Sequence, residues 1–191
     1  MNSADQTKSR IYLTVLTGFL GAGKTTILNR HLESPFGEGT AVLVNEFGDV
    51  DVDSAIIGAA SEGGKMMSLP NGCVCCEMQD DLSSTLIELA ERHNSEGDIS
   101  RCIIETSGLA VPSSILRTIG RNPSLKAEFE VAQTICVASA PAIIDQANKY
   151  IEAAEQIAIS DKIAISKLDL IADDMFDLSL IHISEPTRQS L

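Results

Sequence analysis

Gly18-Phe19-Leu20-Gly21-Ala22-Gly23-Lys24-Thr25, followed by Thr26, carry the clearest chemistry in this chain, because they match the pattern G-x-x-x-x-G-K-[ST] in full. Glycines at 18, 21 and 23 permit backbone angles that turn N–H groups inward as a nest for an anion. A helix starting behind the loop directs its positive end at the same point. Lys24 is suited to bridging the β- and γ-phosphates of a nucleotide, and Thr25 to giving a hydroxyl ligand to Mg²⁺. A second element, Glu105-Thr106-Ser107-Gly108, ends an apolar stretch. A carboxylate at the C-terminal end of a strand lies where open α/β sheets bind ligands. Glu105 could hold a magnesium-bound water there, and the Gly108 N–H could sense the third phosphate. The third element, Ser166-Lys167-Leu168-Asp169, has the form of a guanine-reading loop, Asn-Lys-x-Asp. Asp169 could accept both N1–H and N2–H₂ of guanine, a donor pair adenine lacks. Lys167 would pack over the base and brace the glycine loop. Ser166 departs from Asn and gives up an amide's bonding capacity.

Gly72-Cys73-Val74-Cys75-Cys76 is the distinguishing feature of the chain. Cysteines this close pair poorly with one another. Their thiolates repel unless a cation compensates, and Zn²⁺ would do so. Two other readings stand beside a metal site: three buried, inert cysteines, or a redox switch.

These residues need a scaffold. Ile11–Leu16, 41–44, Cys102–Ile104, Thr134–Val137 and Lys162–Ile165 read as buried strands. Lys24–Glu33, a segment opened by Asp80 and Asp81, one starting near Pro112, and Pro141–Ile157 read as helices. Strands apolar throughout and alternating with helices imply a mostly parallel sheet covered on both faces, an α/β fold. Residues 1–10 are polar and read as disordered.

The bulk numbers narrow the function. A chain of 191 residues with 44% hydrophobic residues can bury one core without staples. A net charge of −13 and 4% aromatics argue against a nucleic-acid surface. No stretch approaches a membrane span. Three of five cysteines crowd into four positions of a chain with no export signal, which favours metal or redox chemistry and a cytoplasmic setting. His31 and His93 read as structural or solvated rather than as ligands.

Taken in order, the glycine loop through Thr26, Asn45-Glu46-Phe47-Gly48, Asn71 to Cys76, Glu105 to Pro112 and Ser166 to Asp169 resemble the CobW family of GTPases, relatives of the nickel chaperones HypB and UreG. The resemblance covers about Tyr12 to Leu170. It implies a P-loop NTPase domain of the SIMIBI type spanning 11–177. It also implies binding of GTP and GDP with Mg²⁺, and hydrolysis of GTP to deliver a metal, often zinc or cobalt, to a client protein. Lys24, Thr25 and Glu105 would serve catalysis. Gly18, Gly21, Ala22, Gly23, Lys24, Thr25, Thr26, Gly108, Ser166, Lys167 and Asp169 would hold the nucleotide. Cys73, Cys75 and Cys76 would hold the metal, with Asp49 as a further candidate ligand, and three thiolates leave one tetrahedral position open for exchange. Relatives often pair, so a homodimer is in view. A P-loop ATPase or kinase with structural cysteines, and a nucleotide-binding metal store or sensor, are the rival functions.

Two departures stand out. Where the family carries Val-Asp-Ala, this chain has Val137-Ala138-Ser139. Leu178 to Arg188 resemble the in-frame translation of a transposase sequencing adapter, so 178–191 reads as a non-native tail, His182 is not read as a ligand, and native sequence is expected to stop near Asp177. The family's final strand, helix and separate C-terminal domain would then be missing.

Overall fold

The computed structural model describes residues 9–45, 66–68 and 77–171, with side chains at 9–44 and 82–171. The expected ligands Cys73, Cys75, Cys76 and Asp49, the segment at 1–8 and the stretch 178–191 lie outside the described residues. Among the described residues the strands are β1 (Ile11–Thr17), β2 (Thr40–Asn45), β3 (Met66–Ser68), β4 (Arg101–Thr106), β5 (Phe129–Ser139) and β6 (Lys162–Ser166). The helices are α1 (Lys24–Leu32), α2 (Glu77–Glu96), α3 (Ser113–Arg121), α4 (Pro123–Glu128), α5 (Ile143–Lys149) and α6 (Ile151–Ile159).

The strands form one sheet in the order β3-β2-β4-β1-β5-β6, and every pair runs parallel. Successive side chains of a strand face opposite sides, and both sides are apolar here. Ile11, Leu13 and Val15 of β1 join Leu43, Ile104 and the buried face of α2 in one cluster. Leu16, Val42 and Val137 join Leu28 of α1 in another on the opposite face. Helices therefore cover both faces, as the unbroken apolar runs require.

Several boundaries differ from the sequence reading. Helix α2 begins at Glu77, so Asp80 closes its opening turn and Asp81 follows it. Acidic residues favour both a cap and the first turn, where the helix dipole attracts them, and spacing alone cannot separate the two. Strand β5 starts five residues early, at Phe129. Its early half carries exposed positions and a register shift opposite Leu13 and Thr14, where Ala132 is the extra residue. That irregularity hid the strand. The expected helix Pro141–Ile157 is two helices, broken at Tyr150 by extended backbone (φ −123°, ψ 119°). No proline or glycine marks the break. The Tyr150 ring stacks instead on Phe19, with centroids 4.7 Å apart, a tertiary contact that overrides local periodicity. β3 and α4 were not anticipated. α4 is nevertheless a signalled helix, with Pro123 at its first turn and the Asn122 Oδ1 accepting from the Ser124 and Leu125 amides.

Leu86, on the inner face of α2, is fully buried beneath the sheet. Leu86→Ala is expected to lose about 2–5 kcal/mol of stability with no change in the denaturant slope. Urea unfolding followed by circular dichroism measures it, and a loss below about 1 kcal/mol would contradict this packing.

Candidate functional site

β1 is central, with β4 on one side and β5 on the other. The loop after β1 therefore emerges between the ends of its two neighbours, at the point where the sheet's strand order diverges and ligands bind. Gly18 has φ 143°, and a Cβ there would overlap the Val137 carbonyl oxygen on β5. No larger residue fits. The loop then curls back, with the Ala22 N–H donating to the Phe19 carbonyl at 3.1 Å. Gly23 caps α1 in a left-handed conformation (φ 95°, ψ 24°), and no side chain caps the helix. The first amides of α1 are thus left for an anion.

Lys24 is buried, and its Nζ donates to the Gly18 carbonyl at 2.9 Å. The ammonium is thereby held across the mouth of the nest. The Thr25 hydroxyl donates to Oε1 of buried Glu105 at 2.7 Å. These two oxygens come from the first turn of α1 and the end of β4, and they fit Mg²⁺, which takes one or two protein oxygens and leaves its other positions to water and phosphate. Thr26 lies beside Thr25 on the exposed face of α1. Gly108 is pressed on the glycine loop: a Cβ there would stand 2.7 Å from the Leu20 amide nitrogen and 2.8 Å from its Cα. Thr106 donates to the Thr17 hydroxyl at 3.0 Å and ties the ends of β4 and β1 together.

Ser166 closes the site from the other side. Its hydroxyl donates to the Ala22 carbonyl at 2.6 Å and approaches the Ala138 carbonyl at 3.3 Å. A short hydroxyl thus reaches the glycine loop from the position where the motif usually has Asn. Lys167, next to it, is exposed and left-handed (φ 57°, ψ 37°). Asp169 is exposed in the single 3₁₀ turn Leu168–Leu170. Ala138, at the position of the family's Asp, is buried and contributes its carbonyl.

The structure therefore brings together the loops of Gly18–Thr26, Glu105–Gly108 and Ser166–Asp169. Sequence reading missed Gln156 of α6, which is fully buried and donates to the carbonyls of Gly108 at 3.1 Å and Ala110 at 2.9 Å. The available signal was a glutamine three positions after Ala153 on the inward stripe of an apolar helix. Cys102 and Cys136 are core residues. Burial pushes the Cys102 thiol up to about 12. Burial also pushes Cys136 up, to about 11, although the nearby Lys24 ammonium pulls it the other way. Partial burial, with help from Arg101, lowers His31. Among the described residues no group of three His, Cys, Asp or Glu is placed to hold a metal ion, and no helix is long and apolar enough to cross a membrane.

A parallel sheet with a glycine nest at its switch point, a buried lysine across it and a Thr–Glu oxygen pair beside it defines a P-loop nucleotide-binding domain. Residues 12–186 match the family described as CobW/HypB/UreG, nucleotide-binding domain. This chain belongs to that family. It is 34% identical over 165 residues to the zinc chaperone YjiA of Escherichia coli, covering 85% of this chain and 51% of that protein. It is 37% identical over 145 residues to the zinc chaperone CobW of Pseudomonas aeruginosa, covering 72% of this chain and 38% of that one. The crystal structure of the Zn(II)-bound YjiA GTPase superposes with a TM-score of 0.65 at 30% identity, over 89% of this chain and 53% of that chain. The chain spans about half, or less, of these relatives' lengths.

Two outcomes test this geometry. Lys167→Gly relieves a left-handed backbone whereas Lys167→Val worsens it, so the glycine variant is expected to be more stable by about 1–2 kcal/mol although both lack the ammonium. Equal urea midpoints would contradict the assigned backbone. Cys102 and Cys136 titrate higher in the folded chain than their ordinary value of 9.0. Their contribution is therefore intact below pH 9 and is lost as pH rises from there toward 12, because the unfolded chain gives up those protons first. Native protein treated with an alkylating agent at about pH 8 should leave both unmodified until denaturant is added, as peptide mass spectrometry would show.

Proposed function

We propose that this chain is the nucleotide-binding part of a cytoplasmic metallochaperone that hydrolyses GTP to GDP and phosphate and uses the change to deliver zinc, or cobalt, to a metal-requiring client. The observation that carries this reading is the 2.7 Å contact between Thr25 Oγ1 and Glu105 Oε1 beside the uncapped start of α1. Bound Mg²⁺–GTP would supply an activated phosphoryl group and most of the neutralising charge. The chain's own residues do the rest. Amides of the loop Gly18–Thr25 take the β-phosphate oxygens. Lys24 would turn from the Gly18 carbonyl to phosphate oxygens, and the Thr25 hydroxyl and the Glu105 carboxylate would hold the cation and its water. Because Lys24 is buried, its charge acts on the transferring group with little screening. Asp169 reads guanine, and Ser166 keeps that loop in step with the glycine loop.

The metal enters this reading as cargo, taken by Cys73, Cys75 and Cys76 with Asp49 as a further ligand. The relatives' names as zinc chaperones support it. So does the sheet register. Ser68, the last residue of β3, is level with Val44, which is level with Glu105. The chain therefore leaves β3 toward the cysteines about 10 Å, two strand spacings, from the Glu105 backbone. Loss of the third phosphate would relax the Glu105–Gly108 loop and reshape the neighbouring metal site.

The test is a nucleotide panel with and without zinc, with metal analysis of the wild type and the Cys73/Cys75/Cys76 triple alanine variant. The expected result is preference for GTP over ATP, phosphate release, one zinc lost in the triple variant, and tighter zinc with a non-hydrolysable GTP analogue than with GDP. ATP preference with an acceptor requirement would make the chain a kinase or ATPase with structural cysteines. Nucleotide binding without turnover would make it a metal store or sensor. Identical zinc affinities with both nucleotides would exclude the coupling.

A further inference from the structure

Gln156 is the largest fully buried polar side chain among the described residues, with no exposed surface. Its Nε2 donates to the carbonyls of Gly108 and Ala110, at 3.1 and 2.9 Å. Its Oε1 is buried without a hydrogen-bond partner among the described residues. It borders a small cavity shared with Phe19, Cys136, Ala138 and Gln146. Leaving an amide oxygen in that state is unfavourable, and a methionine or leucine would cover the same surface without the penalty. The amide thus serves its two donated hydrogen bonds.

Those bonds grip the loop that matters. Gly108 lies so close to Leu20 that only a glycine fits, so a movement of Gly108 is a movement against the glycine loop. The residue that begins the same helix touches the glycine loop itself, through the stack of Tyr150 on Phe19. Helix α6 and the residue that begins it therefore hold both loops on which the third phosphate would bear.

We infer that Gln156 is a positioning residue. By holding the carbonyls of Gly108 and Ala110 it fixes the turn in which the Ala110 N–H donates to the Ser107 carbonyl at 3.2 Å, and with it the Ser107–Gly108 peptide whose N–H would meet the third phosphate; it so sets the discrimination between a guanine nucleotide with that phosphate and one without. The inference rests on the proposed function in one respect, that Gly108 faces the third phosphate. Gln156 touches no phosphate itself. Its effect travels through the backbone of the loop between β4 and α3, a two-point hold that an apolar side chain cannot make.

The test uses the whole chain with Gln156→Met, which keeps length and loses the donor, and Gln156→Asn, which keeps the amide but withdraws it by one methylene. Affinities for Mg²⁺–GDP and for a non-hydrolysable Mg²⁺–GTP analogue are measured by calorimetry, with melting temperatures alongside. Both variants are expected to bind GDP within about twofold of wild type and the analogue about tenfold more weakly. Equal weakening for both nucleotides, or an altered melting temperature with an unchanged affinity ratio, would reduce Gln156 to a structural role and overturn the inference. In the wild type, hydrogen exchange across residues 107–111 is expected to slow with the analogue and not with GDP; equal protection overturns it even if neither variant folds. A wild type that binds neither nucleotide would bring down the proposed function itself, whereas a binding wild type with unaltered variants brings down only this step.

Discussion

The site depends on one close approach. Gly18 leaves β1 against the Val137 carbonyl of β5 with no room for a side chain. That contact fixes where the chain turns out of the sheet, and everything downstream inherits the geometry. The left-handed Gly23 places the uncapped start of α1 under the turn. Lys24, the first residue of the helix, then folds back onto the Gly18 carbonyl and stays buried. A buried ammonium is costly unless its donors are engaged. A phosphate would satisfy them better than a neutral carbonyl does, because a charged acceptor makes the stronger bond. The resting contact is of the kind a nucleotide can displace.

Two further loops lock onto the same point by different physics. The β4 loop arrives by steric fit, Gly108 against the Leu20 backbone. The β6 loop arrives by hydrogen bonding, the Ser166 hydroxyl on the Ala22 and Ala138 carbonyls. Both loops are then pinned by hydrogen bonds: the Gln156 amide holds the Gly108 and Ala110 carbonyls, and the Ser166 hydroxyl holds the Ala22 carbonyl at 2.6 Å. Lys167 is held left-handed beside Ser166, strain that persists only because the neighbouring contacts over-determine the backbone.

Much of this was legible in the sequence because glycine, lysine and carboxylate at fixed spacing have few structural readings. The loop Gly18–Thr25, the end of β4 at Glu105, and the apolar runs of β1, β2 and β4 each state their own conformation locally. What could not be read was set by contacts distant in sequence. The break at Tyr150 exists because its ring finds Phe19, more than a hundred residues away. The early half of β5 is hidden by exposed positions and a bulge. Ser166 looked like a loss beside the usual Asn, since its reach depends on how near β6 brings it to Ala22. Gln156 was invisible for the same reason: on its own helix it is one polar residue among apolar ones, and only the fold shows which carbonyls it meets. The helix at Pro123 differs, since Asn122 and Pro123 form a start signal that is local to the sequence.

The order of the strands decides which chain ends lie within electrostatic reach of one another. In a parallel sheet all strand ends of one kind share an edge. β3, β2, β4 and β1 therefore deliver Ser68, Asn45, Thr106 and Thr17 to the same edge. Ser68 stands two strand spacings, about 10 Å, from the Glu105 backbone at that edge. Charge brought to either strand end would be felt at the other through a medium of intermediate dielectric. A cation held beside Glu105 would lower the cost of keeping that buried carboxylate ionised, and proximity along one sheet edge would carry the effect without a long relay.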